Sequence, residues 1–250
     1  MVRADGLSYG TIVVVGGGCY GSYYVRQLLR ARERGALAWR RVIVVDRDPA
    51  CVVSSRLARA AELQGAGEVE VVVADWAAFF DTWLDGTARA GDAIVPSPLM
   101  PHLFFHWLER RARRRWPARR VARESPDEQR GIPWQRVGDD GTRYVSFAEW
   151  ICPVNCVEPN TCPHTRGPRD WSMPVALARR DSVAAASAAP PTVTALFRCI
   201  HRAYGVGMID VDEVLSAARA LDTLGSAGDV RLLVGTVSHC HGALGTLIVE

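Results

Sequence analysis

Apolar and polar positions follow two rhythms along the first hundred residues. Thr11 to Val15, Val42 to Val45, Val69 to Ala74 and Ala93 to Val95 are short, nearly unbroken apolar runs rich in β-branched side chains. That is the pattern of strands covered on both faces. Helical stretches separate them, at about Tyr20 to Arg34, Pro49 to Leu63 and Trp76 to Leu84. The first stops near Gly35 with Arg30, Arg32 and Arg34 near its negative end. Strands alternating with helices at this spacing predict βαβ units and a parallel sheet.

Beyond residue 100 the rhythm loosens. Pro101 suits the first turn of a helix running to about Arg115. Ser125 to Gly141 reads as a polar loop, and Arg143 to Ile151 as a strand delivering Cys152. Asp181 to Pro191 reads as a helix end and linker. A strand (Val193 to Ile200), a helix (Val211 to Leu221, capped by Asp210) and two strands (Val230 to Val237, Ala243 to Val249) follow. Three segments are expected: a nucleotide-binding core at 1–115, a basic and cysteine-rich stretch at 116–190, and an α/β segment at 191–250. The last either completes the first sheet, which is the expectation, or forms a small second layer. No internal repeat is present.

Composition narrows the chemistry. At 48% hydrophobic and 23% charged residues the chain is an ordinary globular one, and no apolar run reaches the roughly 18 to 20 residues that span a bilayer. With the polar stretch Met1 to Gly10 in place of a signal peptide, a cytoplasmic location without membrane contact is expected. The net charge of +3 is too small to argue for nucleic acid. Every basic side chain is arginine, so Schiff-base, pyridoxal-phosphate and Walker-type lysine chemistry is excluded in its usual form. Eight arginines fall between Arg110 and Arg123. They make either a solvated helix end or a surface for an anionic partner.

The first candidate site is Val13-Val14-Val15-Gly16-Gly17-Gly18-Cys19-Tyr20-Gly21, an apolar strand entering a G-x-G-x-x-G turn. Gly16 permits the bend, Gly18 lets backbone approach a pyrophosphate, and Gly21 lets helix and strand pack closely. Cys19 and Tyr20 sit in the same turn, at a helix N-terminus suited to phosphate. Asp46 ends the second strand, where it can accept from a ribose diol, with Arg47 beside it, and Asp75 ends the third.

Residues 11 to 100 resemble the NAD(P)-binding Rossmann superfamily. The resemblance implies an α/β, Rossmann-like, mostly parallel sheet, with pyrophosphate at Gly16, Gly18 and Gly21 and the adenosine ribose at Asp46. Asp46 favours NAD because a carboxylate repels the 2′-phosphate of NADP; Arg47 relaxes that preference. The same glycines, with Asp46 and Asp75, also resemble S-adenosylmethionine-dependent methyltransferases and aminopropyltransferases. Against that, Val14 stands where methyltransferases carry an acid, and Pro96-Ser97-Pro98 where aminopropyltransferases have a catalytic one.

The second candidate site is the C-x3-C-x5-C cluster of Cys152, Cys156 and Cys162. Thiolates gathered on a short loop suit soft or borderline metals, so a 4Fe–4S cluster or zinc is expected, near the nucleotide. Cys240, between His239 and His241, is the expected fourth ligand and His164 the local alternative. His102 and His106 lie four apart on one helix face without the glutamate of H-E-x-x-H, and read as core or interface histidines. Cys51 and Cys199 read as buried apolar side chains. No residue declares itself a general acid or base. Three readings stay open: an NAD(P)-binding oxidoreductase or sensor, a methyltransferase-like enzyme, and a binding protein with structural zinc.

Overall fold

The computed structural model describes residues 7–58, 69–98, 100–152, 156–184 and 193–250. It is a mixed α/β protein whose chain divides into two compact units, both discontinuous. One comprises Met1–Met100 and Ile200–Asp212, the other Pro101–Cys199 and Glu213–Glu250. This division differs from the three segments expected from sequence: the break falls at residue 100 and not 115, and the cysteine-rich stretch shares a unit with most of the C-terminal segment.

In the first unit, β1 (Leu7–Val15), β2 (Leu37–Asp46), β3 (Val69–Val73) and β4 (Ala93–Val95) are joined by α1 (Cys19–Glu33), α2 (Val52–Ala58) and α3 (Trp76–Gly86). The strands stand in the order β3-β2-β1-β4 and are parallel, with Val13 level with Ile43 on one side and Ile94 on the other. Val42 to Val45 and Ile12 to Val15 are all buried, which is why the runs lack polar alternation. Ile12, Val14, Val42 and Val44 form one core with Val25, Leu28 and Ala31 of α1. Of the helix expected from 49 to 63, residues 49–51 are non-helical, α2 covers Val52–Ala58, and 59–63 lie outside the described residues.

The far side of this sheet comes from late in the chain. After α4 (Leu103–Arg115), β5 (Val121–Glu124), β6 (Trp134–Val137), β7 (Arg143–Ser146), α5 (Met173–Ala184) and β8 (Val193–Arg198), the strands β9 (Ile200–His201) and β10 (Gly207–Asp210) enter the first unit. There β10 pairs antiparallel with β4, and β9 with β10. Asp210, expected as a helix cap, accepts from the Tyr9 hydroxyl at 3.2 Å and from Arg202 at 2.5 Å.

The second unit has its own sheet, completed by α6 (Val211–Ala227), β11 (Val230–Val237) and β12 (His241–Val249). Its order is β6-β7-β12-β11-β8, with β5 also on β12. The edge of β12 is shared: β7 takes His241 to Leu244, and β5 takes Thr246 to Val249. Met173 and Leu177 of α5 cover the face carrying Val145, Leu233, Val237 and Leu244. The C-terminal segment is divided: β9 and β10 extend the first sheet, whereas β8, β11 and β12 join β5, β6 and β7 in a second sheet that the sequence did not anticipate. Among the described residues no helix is long and apolar enough to cross a membrane.

Candidate functional site

The glycine turn links β1 to α1, and its three motif glycines meet three different demands. Gly16 has φ +89°, a conformation that side chains disfavour. A Cβ on Gly21 would lie 1.8 Å from the Gly16 carbonyl oxygen, so that position is sterically closed. A Cβ on Gly18 would meet nothing within 4 Å. The two closed glycines shape the turn, and the open one leaves its surface accessible.

Asp46 braces this turn from the end of β2. Its Oδ2 accepts from the Gly17 N–H at 2.6 Å and its Oδ1 from the Asp48 N–H at 2.9 Å. Each oxygen keeps a second lone pair. Arg47 next to it is exposed, as are Cys19 and Tyr20 at the start of α1. Asp75 is the N-cap of α3, accepting from Ala77 and Ala78 N–H at 2.9 and 3.3 Å; a helix cap accounts for its position. Trp76, which the sequence reading passed over, donates its indole N–H to the Val45 carbonyl at 2.9 Å and closes one side of Gly16.

The thiol cluster belongs to the second unit. The chain between β7 and α5 is pinned to the β11–β12 turn at both ends, through Phe147 N–H to Cys240 O and Met173 N–H to His239 O, each 2.9 Å. Glu158 pins its middle. That carboxylate accepts from the Ser238 hydroxyl (2.7 Å) and from the His239 and Cys240 N–H groups (2.9 and 3.0 Å). Glu158 holds φ +52° to do so. Cys240, distant in sequence, is thus carried on the turn that anchors the cysteine loop.

Each sulfur has a distinct setting. Cys152 is pushed up by burial and by the neighbouring Cys156 and Cys162 thiols. Cys162 is buried at 4% exposure in a tight hairpin, closed by the Thr161–Pro168 bridge and the Cys162 N–H to Gly167 O bond. Its thiol lies below the ordinary range, the Thr165 backbone being the main cause, with burial acting in the opposite direction. Cys240 is driven to about 11, chiefly by burial, although the Trp171 indole N–H donates to its sulfur at 3.3 Å. Cys199 is driven to about 12 by burial and then by Glu158. His164 stacks flat on Trp150, with centroids 4.6 Å apart and planes at 6°. Among the described residues no three His, Cys, Asp or Glu side chains are grouped so as to hold a metal ion.

Glu158, Trp150 and Trp171 were not singled out from sequence. The only signal was an acidic residue between cysteines and a tryptophan on either side. His102 and His106 face Tyr144 and Arg123: His102 Nε2 lies 2.9 Å from the Tyr144 hydroxyl, and Arg123 lies 2.8 Å from His106 Nδ1. Within the basic segment, Arg111 pairs with Asp222, Arg113 with Glu109, Arg119 with Asp229 and Arg120 with Glu250.

Sequence comparison bears on nearly all of the second unit and on the 200–212 stretch of the first. A family model described as the C-terminal domain of an uncharacterised protein, AF_1314_C, matches residues 104–250. The chain belongs to that family. No curated protein and no solved structure matches it. The AF_1314_C match takes in the cysteine loop and its anchoring turn and leaves the glycine turn outside.

Proposed function

We propose that the first unit binds a nicotinamide dinucleotide at the Gly16–Gly21 turn, NAD in preference to NADP, and that the protein is an oxidoreductase or a sensor of that nucleotide. The observation that carries this reading is the division among the three glycines. Two are sterically required by the turn, while Gly18 has no structural obligation beyond leaving space where a pyrophosphate would approach. The α1 N-terminus beside it has no side-chain cap, so its first N–H groups and partial positive charge suit a phosphate. Asp46, already oriented by Gly17 and Asp48, keeps lone pairs for a ribose diol and presents a charge that a 2′-phosphate would meet unfavourably. The nicotinamide, when bound, supplies hydride transfer.

Calorimetric titration of NAD into the chain and into Gly18→Ala tests the proposal. Saturable binding that weakens at least about tenfold in the variant, a loss of about 1.4 kcal/mol, supports it. No NAD binding, or equal binding by both proteins, contradicts it.

A further inference from the structure

We infer that His106 is a pH-gated tie in the second unit. Unprotonated, it joins α4 to β5 by accepting a hydrogen bond from Arg123; protonated, it gives that bond up and pairs with Glu109 of its own helix. The inference does not depend on nucleotide binding by the first unit.

The contact itself fixes the protonation state. Arg123 Nη2 lies 2.8 Å from His106 Nδ1. A guanidinium carries only donors, so Nδ1 must accept and the ring proton stays on Nε2. A proton on Nδ1 would set two donors and two positive charges against each other at that distance. Glu109 Oε2 lies 3.8 Å from the same nitrogen, at the i, i+3 position of α4, and can accept from Nδ1–H once it forms. The ring therefore has a different partner in each protonation state.

Arg123 is where three elements meet. Its Nη1 donates to Asp140 Oδ2 at 3.1 Å and to the Asp140 carbonyl at 3.3 Å, in the turn between β6 and β7. Its guanidinium also lies 4.4 Å from the centroid of the Phe105 ring on α4. The Arg123 side chain is 16% exposed, so water and salt screen a second positive charge beside it only weakly. His106 is 37% exposed and takes its proton directly from solvent. Protonation leaves Arg123 bound to Asp140 and weakens its hold on α4.

The neighbouring charges favour the exchange. Glu109, its carboxyl at about 2, is ionised throughout the range in which histidines titrate. Its Oε2 is 3.8 Å from Arg123 and its Oε1 pairs with Arg113 at 2.9 Å, which keeps the carboxylate within reach of the ring. Arg110, four residues on in α4, is a further cation. The His102 ring centroid lies 6.3 Å from that of His106, and its Nε2 is 2.9 Å from the Tyr144 hydroxyl on β7. Burial above all holds His102 below the ordinary histidine range, so it adds no positive charge near neutral pH. From β12 the neighbour is the uncharged Gly245, against the Phe105 ring.

The test is a pair of double-mutant cycles on the full chain in urea, at about pH 8 and about pH 5, either side of the histidine range. One combines His106→Ala with Arg123→Ala, the other His106→Ala with Glu109→Ala. At the higher pH the His106–Arg123 coupling should favour folding by about fivefold in the unfolding equilibrium constant, with the His106–Glu109 coupling near zero. At the lower pH the first should vanish or turn unfavourable and the second should take its place. Couplings that do not change with pH, or an Arg123 coupling that strengthens in acid, overturn the inference. Should a variant fail to fold, nitrogen NMR of the wild-type chain decides. An unprotonated His106 Nδ1 at about pH 8, with an Arg123 Nη2–H signal that is lost at about pH 5, supports the tie. A proton on Nδ1 at the higher pH, or an Arg123 signal indifferent to pH, overturns it.

Discussion

Gly18 and Gly21 differ in what an added methyl group would touch. At Gly21 it would lie 1.8 Å from the Gly16 carbonyl oxygen, a backbone atom unable to swing aside. Gly21→Ala should therefore cost about 3 kcal/mol in a urea melt. Gly18→Ala, with open space and φ −73°, should change stability by no more than about 1 kcal/mol. Equal losses would refute the separate roles assigned to them. Glu109 gives a second residue-scale test. Its carboxyl is held at about 2, below the ordinary 4.5, first by His106, whose Nδ1 lies 3.8 Å away, and then by Arg113 and Arg123. A folded pKa below the unfolded one stabilises fully above about pH 4.5 and loses that contribution as pH falls toward 2. The loss should be roughly 2 to 3 kcal/mol, and Glu109→Gln should flatten the stability profile across that window.

Among elements, those legible in the sequence were the ones whose environment is uniform. β1, β2, β4 and β11 are buried along nearly their whole apolar runs, so residue type alone marks them. β5 is four residues inside an arginine-rich stretch, β6 lies in a polar segment, and β10 has only Met208 and Ile209 as apolar residues. β5 and β10 owe their existence to the distant strands β12 and β4, β6 pairs only with the neighbouring β7, and four residues are too few to show a period. The cysteine loop follows the same logic. Its thiols were visible as a pattern, but Glu158 was not, because its partners lie 80 to 82 residues on. Glu158→Gln would set an amide donor against the His239 N–H or lose the Ser238 and Cys240 bonds. It should cost about 1 to 3 kcal/mol and speed amide exchange across residues 156–169. Unchanged exchange there would show that the carboxylate does not hold the loop.

At the scale of the whole molecule, the two units are interleaved in sequence: the chain passes between them after Met100, Cys199 and Asp212. This was not legible from composition, since no linker marks the crossings. A chain ending at residue 199 would lack β9 and β10 from the first sheet and β11 and β12 from the second. Both units should then fail to fold, seen as loss of cooperative melting by circular dichroism; a native-like melt would contradict the topology. The proposed function rests on a dinucleotide at the glycine turn. The most direct measurement is the thermal shift of the full chain with NAD, NADP and S-adenosylmethionine in turn. NAD should raise the midpoint most, by an amount that grows with concentration and is clearly smaller in Gly18→Ala. A shift with S-adenosylmethionine alone, or with none of the three, would contradict it.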